Sequence, residues 1–482
     1  MPTSAHVGGE VVRSEDPSSE PQRTVPRRVA VIGGGISGLA AAKDLLASGA
    51  AVTLFDADAR LGGQLHAVEV AGHQVDVGAE SMFTAAPGPL ALVEELGLGD
   101  RVVGANAGTT WIWSDRGLRR LPDGFTPAGP TRLWPMLSAR VLSPRGMVRA
   151  AGEALVPTTD ATQDVAVGDF LQRRFGREVV DGLVDPLLGG LHAGDVRRLS
   201  LRSATPQLAA LAARRRSLLL RRRPRAGAGP VFVTLIGGMH TLVSRLAEHL
   251  ERDGADLQVG TGIERLERDS GRTRLHSDAG PAGSFDAVVL AVPAAVAARL
   301  TGAASPLAAE VLRQLRAASV AVAALAYPRS AATTSTLATG TGVLVPSHRG
   351  RLLKAATHLS TKWAHHAEGD HVYVRASAGR ADDTRAWELD DDTLVDRLHA
   401  DLAEATGLDV EPSAARVHRW PATMPQLEVG HAGRLATAER ALAQDLPNVA
   451  LAGAPYHGPG IAACLRSAAA AAAAVVPTTQ ER

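Results

Sequence analysis

The spacing of apolar positions near the start of the chain changes period twice within thirty residues. Residues 28–32 (Arg28-Val29-Ala30-Val31-Ile32) are a short apolar run rich in β-branched residues, the pattern of a strand buried on both faces of a parallel sheet. The run enters Gly33-Gly34-Gly35-Ile36-Ser37-Gly38. Residues 39–46 then favour helix until Gly49 stops it, and a second apolar run, 51–55, ends on Asp56. The pattern predicts strand, glycine turn, helix, strand, acid: a βαβ unit opening a doubly wound α/β fold.

Further along, residues 90–97 predict a short amphipathic helix, Pro and Gly crowd 117–147, and helical patterning returns over 164–213. Gly237-Gly238-Met239 precedes a predicted helix at 241–250. Strand patterns follow at 257–259, 262–266 and 285–293, the last reading as a core strand of the opening sheet. Residues 300–430 carry strands and helices of another kind, with strands at 320–327, 343–346 and 371–376 and a helix at 392–406. A strand at 448–453 leads into Gly458-Pro459-Gly460-Ile461 and a closing helix to about 475. Nucleotide-binding signals at both ends and in the middle predict a discontinuous domain with insertions. The boundaries expected are a tail at 1–26, a nucleotide-binding domain from 27–110, 231–300 and 431–478, a helical domain at 111–230, and an inserted α+β substrate domain at 301–430.

Composition narrows the class. With 45% hydrophobic and 21% charged residues and a net charge of +1 over 482 residues, the chain is ordinary globular protein, with no bulk field to recruit nucleic acid or an anionic membrane. The Arg-rich stretches 214–216 and 221–225 read as a solvated face or a basic segment facing an anionic ligand or lipid, and without aromatic interleaving they do not predict nucleic-acid binding. A single cysteine, Cys464, excludes an internal disulfide framework and a Cys-based metal site. Apolar runs such as 288–292 and 320–326 fall far short of the ~18 residues that span a bilayer, so the expectation is a cytoplasmic protein with at most peripheral membrane contact.

Each residue of the opening motif has a physical role. Gly33 permits the tight turn, Gly35 lets backbone approach a pyrophosphate, Gly38 lets helix and strand pack closely, and Asp56 is placed for ribose hydroxyls while disfavouring a 2′-phosphate. Arg60-Leu61-Gly62-Gly63 supplies a second phosphate-contacting turn, which favours FAD over NAD. The segment 75–81 is placed to pass near a flavin ring.

Four later stretches carry a family resemblance. They are 185–195 (Asp185-Pro186-Leu187-Leu188-Gly189-Gly190-Leu191-His192-Ala193-Gly194-Asp195), 355–363 (ending Ser360-Thr361-Lys362-Trp363), 419–431 (containing Pro425-Gln426-Leu427-Glu428-Val429-Gly430-His431), and 452–464. In this order they resemble the oxygen-dependent protoporphyrinogen/coproporphyrinogen oxidases, flavoproteins of the amine-oxidase-like FAD superfamily. His192, Leu427, Pro459 and Ala462 depart from the residues usual at their positions.

The resemblance implies a Rossmann-like FAD domain, a substrate domain whose sheet roofs the cavity, and a helical domain at its entrance. It implies non-covalent FAD contacts at Gly33, Gly34, Gly35, Ile36, Ser37, Gly38, Asp56, Ala57, Arg60, Gly62, Gly63, Gly78, Ala79, Glu80 and Ser81. It also implies Ile263 at the adenine end, and Trp420, Gly460, Ile461 and Ala462 beside the ring. The reaction implied is six-electron oxidation of a porphyrinogen by O2 with release of H2O2, in heme biosynthesis, with ferrochelatase as a further candidate partner. Coproporphyrinogen III is favoured as substrate, with protoporphyrinogen IX oxidation and flavin amine oxidation as alternatives. That chemistry demands no side-chain base, and His192 and His457 read as surface or hydrogen-bonded histidines. An amine oxidase would draw on Lys354, Lys362 or Cys464. The arginines that would meet substrate carboxylates are not singled out by sequence.

Overall fold

A computed structural model of the protein describes residues 26–126, 129–130, 134–156, 163–213, 217–219, 229–332 and 335–476. The run Arg28–Ile32 is the central strand of a five-stranded sheet ordered Asp256–Val259, Ala51–Asp56, Arg28–Ile32, Ala287–Leu290, Val449–Leu451, every pairing parallel. Val29, Ala30 and Val31 are fully buried because both faces are covered. On one face pack the helices Ile36–Ala47, His240–Arg252 and Ile461–Val475. The small side chains of Ala40, Ala41, Ala42, Ala468 and Ala472 fill this layer. On the other face lie the helices Ala294–Thr301, Pro306–Arg313 and His431–Asp445 and a three-stranded antiparallel meander, Ile263–Asp269, Arg272–Ser277 and Gly280–Phe285. The sheet thus gathers strands from three separated stretches of sequence.

A seven-stranded sheet forms the second body, ordered Ala414–Pro425, Ala317–Pro328, His371–Ala378, Ala355–His358, Gly340–Leu344, Thr109–Ser114, Gly117–Arg120. Strict alternation along Ala317–Pro328 sends Ala321, Ala323, Leu325 and Tyr327 toward the helix Asp391–Thr406, while Val320, Val322, Ala324 and Ala326 pack against Val70, Val75 and Val77 of the hairpin Ala67–Val70/His73–Asp76. A helical layer supplies the third core, from Pro144–Ala151, Val167–Phe175 and the wide turn Val180–Gly189, where Pro186 inside the helix removes a backbone donor.

Two expected boundaries move. Thr109–Ser114 and Gly117–Arg120 belong to the seven-stranded sheet rather than to the helical domain expected at 111–230, and the Gly- and Pro-rich stretch that follows masks their period-2 pattern. Helix Pro306–Arg313 packs under the parallel sheet through Ala308, Ala309 and Leu312, so the inserted domain starts after it rather than at 301. The tail 1–25 and the Arg-rich stretches 214–216 and 221–225 lie outside the described residues.

Candidate functional site

The first glycine turn is built as its residue types require. Gly33 has φ +107°, and a Cβ there would stand 2.4 Å from Ala291 O; a Cβ on Gly38 would stand 1.8 Å from Gly33 O. These two glycines are fixed by close approach of strand and helix. Gly35 differs: its backbone is extended, it caps helix Ile36–Ala47, and a Cβ there would meet nothing within 4 Å. Gly35 therefore presents bare backbone and a helix N-terminus to open space, the arrangement that accepts a diphosphate.

Asp56 closes this turn. Its Oδ2 accepts from Gly34 N at 2.6 Å and its Oδ1 from Asp58 N at 2.8 Å, and burial pushes the carboxyl up from its ordinary range despite those donors. Two carboxylate oxygens retain capacity beyond two bonds, so the acid both shapes the turn and has lone pairs left for ribose hydroxyls. Thr261 N donates to Asp56 O at 2.8 Å and Gly262 lies against Ala57, which brings Ile263 beside the acid.

The second turn lies directly on the first. Gly35 and Gly62 form a parallel bridge, Gly62 N donates to Gly34 O at 2.8 Å, and a Cβ on Gly63 would sit 3.2 Å from the Gly35 Cα. Arg60 Nη1 donates to Gly63 O at 3.1 Å. The segment beyond continues the stack: Val77 N donates to His66 O and Ala79 N to Gln64 O, both at 2.9 Å, and a Cβ on Gly78 would stand 1.8 Å from Gln64 O.

The roof sheet is tied to this stack. Trp420 Nε1 donates to Val77 O at 3.0 Å, Gln64 Nε2 to Thr423 O at 2.8 Å, and Arg375 Nη1 to Gly78 O at 2.6 Å. Trp420 packs against His418 and His66 at ring separations of 4.1 and 6.3 Å. Burial, with the positive Arg60 nearby, pushes His66 down to about 4, so the ring is neutral at pH 7.

Glu80 lies under the roof with its carboxylate committed. Oε1 accepts from Lys362 Nζ at 2.5 Å and Oε2 is 3.3 Å from Arg375 Nη1. Burial alone would raise this carboxyl, but Lys362 and Arg375 overcome it and hold it at about 2. Asp76, by contrast, is pushed up to about 7 by burial; Met239 N, ahead of helix His240–Arg252, donates to it at 2.9 Å. The adjacent Gly237 and Gly238, both at positive φ, let that helix start against the carboxylate.

The end of the chain returns to the same place. Helix Ile461–Val475 starts after Gly460, at φ +97°, where a Cβ would meet nothing within 4 Å. Gly453 sits against Ser37, and Gly453 N donates to Ser467 Oγ, which also bonds His457 Nδ1. Ile461 and Ala462 thus open a helix packed beside Ile36–Ala47. His457 is an exposed, hydrogen-bonded histidine. His192 is buried, pushed down to about 4, and its Nδ1 is without a partner among the described residues.

The residues the sequence singled out therefore converge from four stretches; Arg375 enters the site without having been read as part of it, and Lys362, read only within a family-like stretch and as a candidate for amine oxidation, enters it as the partner of Glu80. Nothing local marks this pairing, because Glu80 is brought close to both cations only by the roof sheet. The open faces of Gly35 and Gly460, the two adjacent helix N-termini and the stacked Gly62-Gly63 turn fit a dinucleotide cofactor. A separate polar cavity of about 320 Å³, lined by Asp181, Asp185, Arg197 and His348 among others, includes none of these residues.

This nucleotide-binding geometry agrees with the family comparison. The chain belongs to the flavin-containing amine oxidoreductase family, whose pattern matches residues 36–476, and it is a flavin-dependent oxidoreductase with FAD as cofactor. Within that class it is similar to the coproporphyrinogen III oxidase of Mycobacterium tuberculosis H37Rv, 35% identical over 94% of this chain and 98% of that protein. It is likewise similar to the coproporphyrinogen III oxidase of Bacillus subtilis, 31% identical over 91% of this chain and 96% of that one. A crystal structure from Exiguobacterium sp. 255-15, named provisionally as a protoporphyrinogen oxidase, superposes with a TM-score of 0.82 at 29% identity, covering 92% of this chain and 98% of that one. Among the described residues no helix is long and apolar enough to cross a membrane.

Proposed function

We propose that the protein oxidises coproporphyrinogen III to coproporphyrin III in heme biosynthesis, with O2 as acceptor. The observation that carries this reading is near-full-length similarity to coproporphyrinogen III oxidases, joined to a roof sheet pinned over the glycine turns at Trp420, Gln64 and Arg375. Six electrons and six protons leave the porphyrinogen, and three O2 take them up as three H2O2. FAD, when bound, supplies the two-electron redox chemistry of each round.

The chain's own part is binding and exclusion of water. The diphosphate would rest on the N–H groups after Gly35 and on the Gly62-Gly63 turn, the ribose on Asp56, and the adenine end near Ile263. Gly78, Ala79, Ser81, Trp420, Gly460, Ile461 and Ala462 would border the ring, held non-covalently. The partly buried Trp420 and Met424 of the roof give the macrocycle an apolar surface. Substrate carboxylates call for cations, which this face of the sheet supplies. The setting proposed is cytoplasmic, with peripheral membrane contact at most and ferrochelatase as the partner that takes the product onward.

Purified holoenzyme mixed anaerobically with coproporphyrinogen III should bleach its flavin band, and air should then release porphyrin fluorescence and H2O2. Faster turnover of protoporphyrinogen IX would move the substrate one stage later. Turnover of amines with no porphyrinogen oxidation would replace the reading by amine oxidation.

A further inference from the structure

Only three lysines occur in the chain, and two have acidic partners: Lys43 with Glu95 at 3.0 Å and Lys362 with Glu80 at 2.5 Å. The third, Lys354, is 6% exposed and makes no ion pair or side-chain hydrogen bond to any described residue. We propose that Lys354, with the unpaired edge of Arg380, is the seat of a substrate carboxylate in the roof sheet. For the identity of the ligand this rests on the porphyrinogen reading above; the seat itself rests on the geometry that follows.

Lys354 directly precedes the strand Ala355–His358 and is held by backbone: its N–H donates to Ser377 O at 2.7 Å and its carbonyl accepts from Val345 N at 3.1 Å. Arg375 and Arg380 flank it from the neighbouring strand and the turn after it. Arg375 defines the side of the sheet concerned, because it reaches down to Gly78 and Glu80 of the cofactor segment. Arg380 is swung into place by Gly379, at φ +93°, where a Cβ would stand 2.4 Å from Ser319 O. Its Nη2 donates to Val345 O at 2.6 Å, and its Nη1 is buried without a partner among the described residues. Ala381 N donates to Ala193 O at 2.6 Å, which closes the helical layer against this corner.

The acids near these cations are engaged elsewhere. Glu80 serves Lys362 and Arg375, Asp383 is gripped by Arg385 at 2.8 and 2.9 Å, and Asp185 accepts from Ser347 N at 2.7 Å. An ammonium buried beside two guanidiniums, with no counter-ion of its own among the described residues, is unfavourable, and burial, then Arg380 and Arg375, push Lys354 down to about 7. A bound carboxylate removes that penalty by giving Nζ and the Arg380 Nη1 an anion to share. Such an unneutralised group suits a ligand with anionic side chains.

The test uses holoenzyme and the Lys354→Met variant, which keeps length and removes charge. Coproporphyrin III and its tetramethyl ester are titrated by fluorescence, alongside steady-state oxidation of coproporphyrinogen III. A lost charge-assisted contact should raise the Kd for the free acid, and KM, about 10- to 100-fold. The ester's Kd, the flavin content and, within roughly threefold, kcat should not move. Melting temperature should hold or rise, since an uncompensated buried charge has gone. Unchanged KM and Kd, or equal weakening for acid and ester, would overturn the proposal. So would loss of folding or FAD in both Lys354→Met and Lys354→Gln, which would make the lysine structural. Wild-type protein that oxidises no porphyrinogen, yet binds the free acid in a Lys354-dependent way, would sink the functional reading and leave the seat standing. Binding of neither acid nor ester would sink both.

Discussion

Gly35 and Gly62 meet in a parallel bridge, with Gly62 N donating to Gly34 O at 2.8 Å, so that two glycine turns separated by a helix and a strand form one continuous backbone surface. The outer side of that surface at Gly35 is open, while Gly33 and Gly38 are packed against carbonyls. The glycines of one motif therefore have different physical reasons to be glycine, and substitution separates them.

Gly35→Val should fold and lose FAD. Its side chain enters open space, where it excludes the diphosphate without clashing with protein. Gly38→Val should fail at the level of folding, because its Cβ would stand 1.8 Å from Gly33 O, a harder clash than ordinary overpacking, which costs about 1–3 kcal/mol. Flavin absorbance relative to protein, read beside circular dichroism, separates the two; full flavin in Gly35→Val would refute the assigned turn.

Glu80→Gln should lower stability by roughly 3 kcal/mol, the low end for breaking a buried pair, since Lys362 keeps some exposure. The pH dependence follows from the depressed carboxyl. The stabilisation is complete above its ordinary value of 4.5 and is lost as the pH falls from there toward about 2. Thermal unfolding followed from pH 7 to 2 should show this loss in the wild type and its absence in the variant.

His366 carries the opposite kind of group into acid. Burial, with His365 and His73 close by, pushes it from 6.5 down to about 3, and its Nδ1 meets His73 Nε2 at 2.6 Å. The unfolded chain takes up the proton first, so stability should fall as the pH drops from 6.5 toward 3, by up to about 1.4 kcal/mol per pH unit for one proton. His366→Leu should flatten that slope in thermal unfolding between pH 6.5 and 4.

Cys464 should not bond the flavin. It is 7% exposed, and burial raises its thiol despite a hydrogen bond with Ser37, so little thiolate forms. Acid precipitation of the holoenzyme should leave a colourless pellet and all the FAD in solution, and Cys464→Ala should retain its flavin.

Much of the nucleotide-binding half is legible in the linear chain. Runs such as 28–32, the glycine spacing and Asp56 encode local geometry, and a parallel strand buried on both faces writes itself as continuous apolar sequence. The strands Thr109–Ser114 and Gly117–Arg120 were not legible as part of the roof, because they pair with Gly340–Leu344, far along the chain, and the local signal around them is glycine and proline. Arg375 carries no pattern at all, and nothing in the chain says what Lys362 and Lys354 face; a lone basic residue reads the same whether it meets water, an acid or a ligand.

Sequence by itself determined the opening βαβ unit, the discontinuous plan and the family, since these depend on residue types a few positions apart. Only the tertiary structure decided that the second turn lies on the first, that Glu80 is neutralised by the roof, and that Lys354 is left without a counter-charge. Charge pairing and burial are set by distance in space, and folding brings together groups whose separation along the chain holds no record of it.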